Sequence, residues 1–102
     1  MYLLYLTHFV YYRIFPEKWQ RKISKGKPHP ETFLALAERL KVRPKDCVVF
    51  EDALLGEEAA RRAGMAVVAI TTSHRADEFK TAALAVRDFI GLKLESVRAL
   101  LP

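Results

Sequence analysis

The chain has a single cysteine, Cys47, which rules out a disulfide framework and makes a reducing cytoplasm the default compartment. Placed inside an apolar run, Cys47 reads as a small buried hydrophobe. Long hydrophobic runs are also missing. The most apolar stretch, Met1 to Phe15, is interrupted by Thr7 and His8 and carries Arg13. It falls short of the roughly 20 apolar residues that a membrane-spanning helix needs. It has neither the basic start nor the small-residue cleavage site of a signal peptide. It reads as a strand or helix packing on the core. A weak interfacial anchor is the other reading, because Lys18, Arg21, Lys22 and Lys25 follow it. Internal repeats and low-complexity segments are absent. The three histidines, His8, His29 and His74, lack metal-ligand spacing. The net charge of +5 is compatible with anionic partners but selects none. No helix-turn-helix, zinc-ligand or aromatic RNA-binding pattern accompanies the basic connector 16–26, so nucleic acid is not expected as a partner.

What is present is a globular composition, 51% hydrophobic and 28% charged, in 102 residues, enough for one small domain or part of a larger one. From Lys27 onward the pattern becomes regular. The prolines of Lys27-Pro28-His29-Pro30 predict an extended segment, and Pro30 suits a first helical position with Glu31 near the positive helix end. Phe33, Leu36, Ala37 and Leu40 recur at helical spacing. After the turn 42–46, Cys47-Val48-Val49-Phe50 is continuously apolar, as a strand buried on both faces must be. A second helix closes at Gly64 after Arg61 and Arg62. Met65 to Ile70 is a second buried strand, followed by the polar loop Thr71 to His74 and a short helix within Arg75 to Lys80. Leu84 to Val86 is a brief third strand. Leu92, Leu94, Val97, Leu100 and Leu101 predict a final helix. Strands alternating with helices predict an α/β fold with parallel pairing through right-handed crossovers.

Candidate chemistry gathers at the carboxyl end of the first buried strand, where open α/β sheets bind ligands. Glu51 and Asp52 stand there. Consecutive strand residues face opposite ways, so both acids serve one site only if the chain leaves the strand at that point, and Gly56 supports such a break. Two carboxylates suit Mg²⁺, which takes oxygen ligands and keeps several waters beside a substrate phosphate. An ammonium such as that of Lys27 would offset phosphoryl charge. Each residue also has a plain reading, as a solvated loop acid or a surface lysine. Thr71, Thr72 and Ser73 either approach a ligand or simply lead into the next helix.

Taken together, Gly26-Lys27-Pro28-His29-Pro30-Glu31-Thr32-Phe33-Leu34, Val49-Phe50-Glu51-Asp52-Ala53-Leu54-Leu55-Gly56 and Glu58-Ala59-Ala60-Arg61-Arg62-Ala63-Gly64-Met65 resemble the haloacid dehalogenase superfamily, specifically its β-phosphoglucomutase-like phosphatases. The resemblance runs from about Ser24 to Leu101. It implies a Rossmann-like core and Mg²⁺-dependent phosphoryl transfer through an aspartyl-phosphate, on a small phosphorylated metabolite. It assigns Lys27 to steadying the nucleophile and phosphoryl group, Glu51 and Asp52 to the metal, and Gly56 to the turn into the next helix. Ala53 stands where many members have serine.

The departures are absences. The family nucleophile is the first Asp of an Asp-x-Asp pair, and the aspartates here, Asp46, Asp52, Asp77 and Asp88, include no such pair. Nothing convincingly matches the phosphate-binding Ser/Thr or the helical cap, and residues 1–23 do not resemble the family. The expectation is therefore two regions: 1–23, an apolar and basic segment of unclear origin, and 24–102, the carboxyl-terminal part of such a core without its first strand and cap, as from an interrupted reading frame. Such a chain would bind Mg²⁺ weakly and turn over little. The alternative is a binding or assembly module that pairs, with itself or a partner chain, through an open sheet edge.

Overall fold

The computed structural model describes residues 2–4 and 27–102. Four strands form one parallel sheet: β1 (Tyr2–Leu4), β2 (Cys47–Glu51), β3 (Ala66–Ile70) and β4 (Leu84–Val86), in the spatial order β1-β2-β3-β4. The described helices are α1 (Glu31–Leu40), α2 (Leu54–Arg62) and α3 (Leu94–Arg98). Single 3₁₀ turns occupy Pro44–Asp46 and Ala76–Glu78.

The two-sided burial expected of β2 is explained by its neighbours. Every residue of β2 is buried. Side chains alternate across a strand, so Cys47 and Val49 join Phe33, Leu36, Ala59, Ala60 and Val67 under α1 and α2. Val48 and Phe50 face the opposite way and pack with Val68, Ile70 and Val97 under α3. Cys47 is free and buried, its Sγ 3.4 Å from the Arg43 carbonyl oxygen. Burial pushes its thiol up from the ordinary range, with the Asp46 charge adding to the effect, so it is a poor thiolate.

Residues Tyr2–Leu4 pair with Cys47–Val49 of β2. The edge expected to be open is thus covered over these three positions, as the apolar opening of the chain allows. The rest of the expectations for residues 1–23 lie outside the described residues. Two local expectations are corrected. The segment Lys27–Pro30 turns instead of running extended, with a cis Lys27–Pro28 peptide, a form that proline readily admits. Pro30 is consequently the N-cap of α1, and Glu31 opens the helix. The expected helix near Arg75 shrinks to one 3₁₀ turn, closed by the Glu78 carboxylate accepting the Arg75 N–H at 2.7 Å. No helix among the described residues is long and apolar enough to cross a membrane.

Helices α1 and α2 end in the same way. Val42 N–H bonds the Ala37 carbonyl and Lys41 N–H that of Glu38; Met65 N–H bonds Ala60 and Gly64 N–H bonds Arg61. This double closure requires a left-handed residue. Gly64, at φ +80°, adopts it freely, whereas Lys41 adopts it at φ +57° with a side chain attached. Lys41→Gly is therefore expected to stabilise the fold by about 0.5–1 kcal/mol, measured as a raised midpoint in urea unfolding. On the outer face of α2, hydrogen bonds from Arg61 and then Arg62 hold the Glu58 carboxyl below its ordinary range. The stabilisation this gives is present above the ordinary carboxyl range and fades as pH falls through the lowered value.

Candidate functional site

The site begins where β2 ends. Glu51 is the last strand residue and is 4% exposed. Asp52 and Ala53 form the bend that leads into α2, so the chain leaves the strand where both acids require it to. The two carboxylates end up in different surroundings. Glu51 Oε2 accepts a hydrogen bond from Lys27 Nζ at 2.9 Å, and Oε1 accepts one from the Ala53 N–H at 3.1 Å. Asp52 is half-buried and makes no hydrogen bond or ion pair with another described residue.

Lys27 reaches this point from the turn before α1, 24 residues earlier in sequence. Its ammonium lies 5.4 Å from the centroid of the Phe33 ring, a contact of the cation–π type. Phe33 is fully buried on α1, so the helix that fills the core also sets the floor beneath the lysine. The Lys27 side chain keeps 27% of its exposure, leaving one side of the ammonium open to solvent or a ligand.

Gly56 completes the arrangement. A Cβ built at this position would overlap the Cγ, Cδ and Oε2 atoms of Glu51. The Glu51 side chain thus lies directly against the backbone of the first turn of α2. The expected role of Gly56 was a turn into the helix; in the fold it lies inside α2 and makes room for the carboxylate.

Lys27, Glu51, Asp52 and Gly56 are therefore brought to one place. No group of three His, Cys, Asp or Glu side chains that could hold a metal occurs among the described residues. The groups available to a cation are the Asp52 carboxylate and the lone pairs of Glu51 not already used by Lys27 and Ala53.

The remaining candidates take structural roles. His29 Nδ1 accepts the Glu31 N–H at 3.2 Å, at the start of α1. His74 meets the Phe79 ring edge-on, with centroids 6.2 Å apart, and its Nδ1 is 3.6 Å from Glu78 Oε2. Thr71 bonds the Val86 carbonyl through its N–H at 2.9 Å and its hydroxyl at 3.4 Å, tying the loop to β4.

One residue next to the site escaped the sequence reading. Glu57 is buried on α2, and its carboxylate accepts the N–H groups of Lys80, Thr81 and Ala82 at 3.2, 2.8 and 2.8 Å. The signal was available: Glu57 and Ala60 are one helical turn apart on the buried stripe of α2, where an acid is out of place unless it has donors.

Comparison with known proteins identifies the family and the fold. The model of the haloacid dehalogenase-like hydrolase family matches residues 4–64, starting ahead of the stretch that carried the resemblance. A haloacid dehalogenase-like hydrolase domain-containing protein of Arabidopsis thaliana is 39% identical over 80 residues, which are 78% of this chain and 25% of that protein. The fructose-1-phosphate phosphatase YqaB of Escherichia coli is 57% identical over 46 residues, 45% of this chain and 24% of that protein. Among solved structures, a β-phosphoglucomutase from Clostridium difficile superposes with a TM-score of 0.68 at 35% identity, over 78% of this chain and 34% of that one. The match thus spans about a quarter of the length of these curated relatives. With a parallel Rossmann-like sheet, an acid pair at the end of β2 and a lysine brought to it, the chain belongs to the haloacid dehalogenase-like hydrolase family.

Proposed function

We propose that the Lys27–Glu51–Asp52 site binds the phosphoryl group of a small phosphate ester together with Mg²⁺, as the anion- and cation-binding part of a phosphoryl-transfer centre. The observation that carries this reading is the Lys27 ammonium held 2.9 Å from buried Glu51, next to the carboxylate of Asp52, which has no partner among the described residues. The β-phosphoglucomutase and fructose-1-phosphate phosphatase names of its relatives favour a phosphorylated sugar or similar metabolite.

The donor chemistry fits the ion. Carboxylate oxygens are hard ligands, and Mg²⁺ is commonly held by one or two of them while keeping its waters. Asp52 would hold it, with Glu51 contributing a spare lone pair. The bound ion supplies charge neutralisation on the phosphoryl oxygens. Lys27 contributes a fixed ammonium aimed at the same oxygens, and Glu51 holds that ammonium in place so that little reorganisation is needed when charge develops. The covalent step requires a carboxylate held in line with phosphorus. No pair among Asp46, Asp52, Asp77 and Asp88 has the family spacing, so these 102 residues by themselves are proposed to bind without turning over.

Titration with Mg²⁺, followed by amide NMR, tests the binding part. Shifts are expected at residues 51–53, and Asp52→Asn should weaken binding about tenfold, as the loss of a charged ligand to a metal does. Equal affinity in the variant would discard the assignment of Asp52. Hydrolysis of p-nitrophenyl phosphate tests the rest. Mg²⁺-dependent turnover by the purified chain, abolished in Asp52→Ala, would show that these residues are catalytically sufficient and end the second half of the proposal.

A further inference from the structure

At the carboxyl end of β4 lies a groove of about 380 Å³ that shares no residue with the Lys27–Glu51–Asp52 site. Its volume is in the range of small-molecule pockets, which combine mostly apolar walls with a few charged or polar groups. The walls here are Leu84 and Val86 of β4 and Leu92. All three are half-buried and pack on the core cluster that contains Val68, Ile70 and Val97, so the base of the groove is continuous with the core. Ile90 also lines the groove, with 89% of its surface exposed. The turn that carries it is built before any ligand arrives. Asp88 Oδ1 accepts the Ile90 N–H at 2.9 Å, the Leu92 N–H bonds the Phe89 carbonyl at 3.2 Å, and Gly91 takes a left-handed φ of +78°.

The charges of the lining select an occupant. Arg87 and Lys93 stand against one acid, Asp88, which leaves a single positive charge. Both cations are exposed, and the ion pairs among the described residues include neither of them. Asp88 already uses one oxygen on the turn. Ser96 of α3 adds a hydroxyl to the lining. A bare inorganic anion would leave the apolar walls unused, and a cation would meet two like charges. Two uncommitted cations beside an apolar base complement a ligand with one negative end and an apolar body. The guanidinium fork of an arginine matches the two oxygens of a carboxylate.

We propose that this groove binds a small organic carboxylate with an apolar body, its charged end between Arg87 and Lys93 and its hydrocarbon part against Val86 and Leu92. Because the groove and the Lys27–Glu51–Asp52 site share no residue, either reading can fail without the other.

Amide NMR titrations of the full chain test this, with octanoate as the probe. Octanamide is its neutral counterpart and acetate its counterpart without an apolar body. Octanoate should shift residues 84–96 and saturate. It should bind about tenfold tighter than octanamide, because hydrogen bonds to a charged acceptor are the stronger ones. Acetate should bind about tenfold or more weaker than octanoate, having almost no apolar surface to bury. Arg87→Gln combined with Lys93→Gln should bring octanoate down to the level of octanamide and leave octanamide unchanged. Both side chains are exposed, so the melting temperature of this variant should match that of the wild type. The three probes also discriminate in the wild type alone, without any variant. Octanoate that leaves residues 84–96 unmoved, that binds no tighter than octanamide, or that acetate equals would overturn the proposal. So would a double variant that binds octanoate as well as the wild type does.

Discussion

Gly56→Ala is expected to cost about 3–5 kcal/mol, the range for breaking a buried ion pair while leaving one partner in place. The added methyl would overlap three atoms of Glu51, and that side chain has nowhere to retreat. It is buried, and both of its oxygens are tethered, one to Lys27 and one to the Ala53 N–H. Either the first turn of α2 shifts away from β2 or Glu51 swings out and abandons both donors. Helix propensity works the other way, since Ala exceeds Gly by about 1 kcal/mol in a helix interior, so the steric effect wins by severalfold. Urea unfolding measures the loss. A control separates the two causes: combining Gly56→Ala with Glu51→Ala removes the overlap, and the double variant should fall short of the sum of the singles. A simple sum would mean that Gly56 and Glu51 do not interact, contrary to their contact in the fold.

The second large effect is expected at Glu57. Its carboxylate receives three backbone N–H groups from residues 80–82, the segment that leads into β4. Replacing it by alanine leaves these donors without an acceptor in a partly buried position. One such loss costs about 1–3 kcal/mol, and water can reach some of the vacated space, so a net loss of about 3 kcal/mol is expected for Glu57→Ala. Glu57→Gln keeps the shape and one acceptor oxygen but gives up the charge, and should cost about half as much. The readout that identifies the mechanism is amide hydrogen exchange. Residues 80–82 should lose protection first, while β2 and β3 retain theirs. Uniform loss across the sheet would point instead to a general packing defect.

These two residues illustrate what could be read from the chain and what could not. The strand Cys47–Glu51 was legible because burial on both faces demands an unbroken apolar run, and only a few residue types provide one. The helix stripe of Phe33, Leu36 and Ala37 was legible for the analogous reason, with a different period. The gathering of Lys27, Glu51 and Asp52 was read from a resemblance; no local pattern shows a lysine folding back across 24 residues. The turn at Lys27–Pro30 was misread because proline is compatible with both an extended chain and a cis turn. Glu57 was passed over because, next to Glu58, it looked like one more solvated acid of a surface helix. Glu58 is that, bridging Arg61 and Arg62.

The edge of the sheet follows the same division. From the sequence, the sheet lacks its first strand and has an open edge there. The fold runs Tyr2–Leu4 along β2, and the terminal strands among the described residues are β1 and β4. Strand order depends on which strands meet in space, and pairing between residues as distant as Tyr2 and Cys47 leaves no periodic trace in either segment.

By itself, then, the sequence determined the alternation of helices and strands, the two buried strands and the family. Those follow from local composition and period, or from motifs that survive as strings. The tertiary structure alone decided that Glu51 is tethered to Lys27 and to the Ala53 N–H, that Gly56 yields its space to a carboxylate, that Glu57 fastens the approach to β4, and that Ile90 faces outward on its turn. Each depends on contacts between residues distant in the chain, where the physical cause is proximity and not pattern.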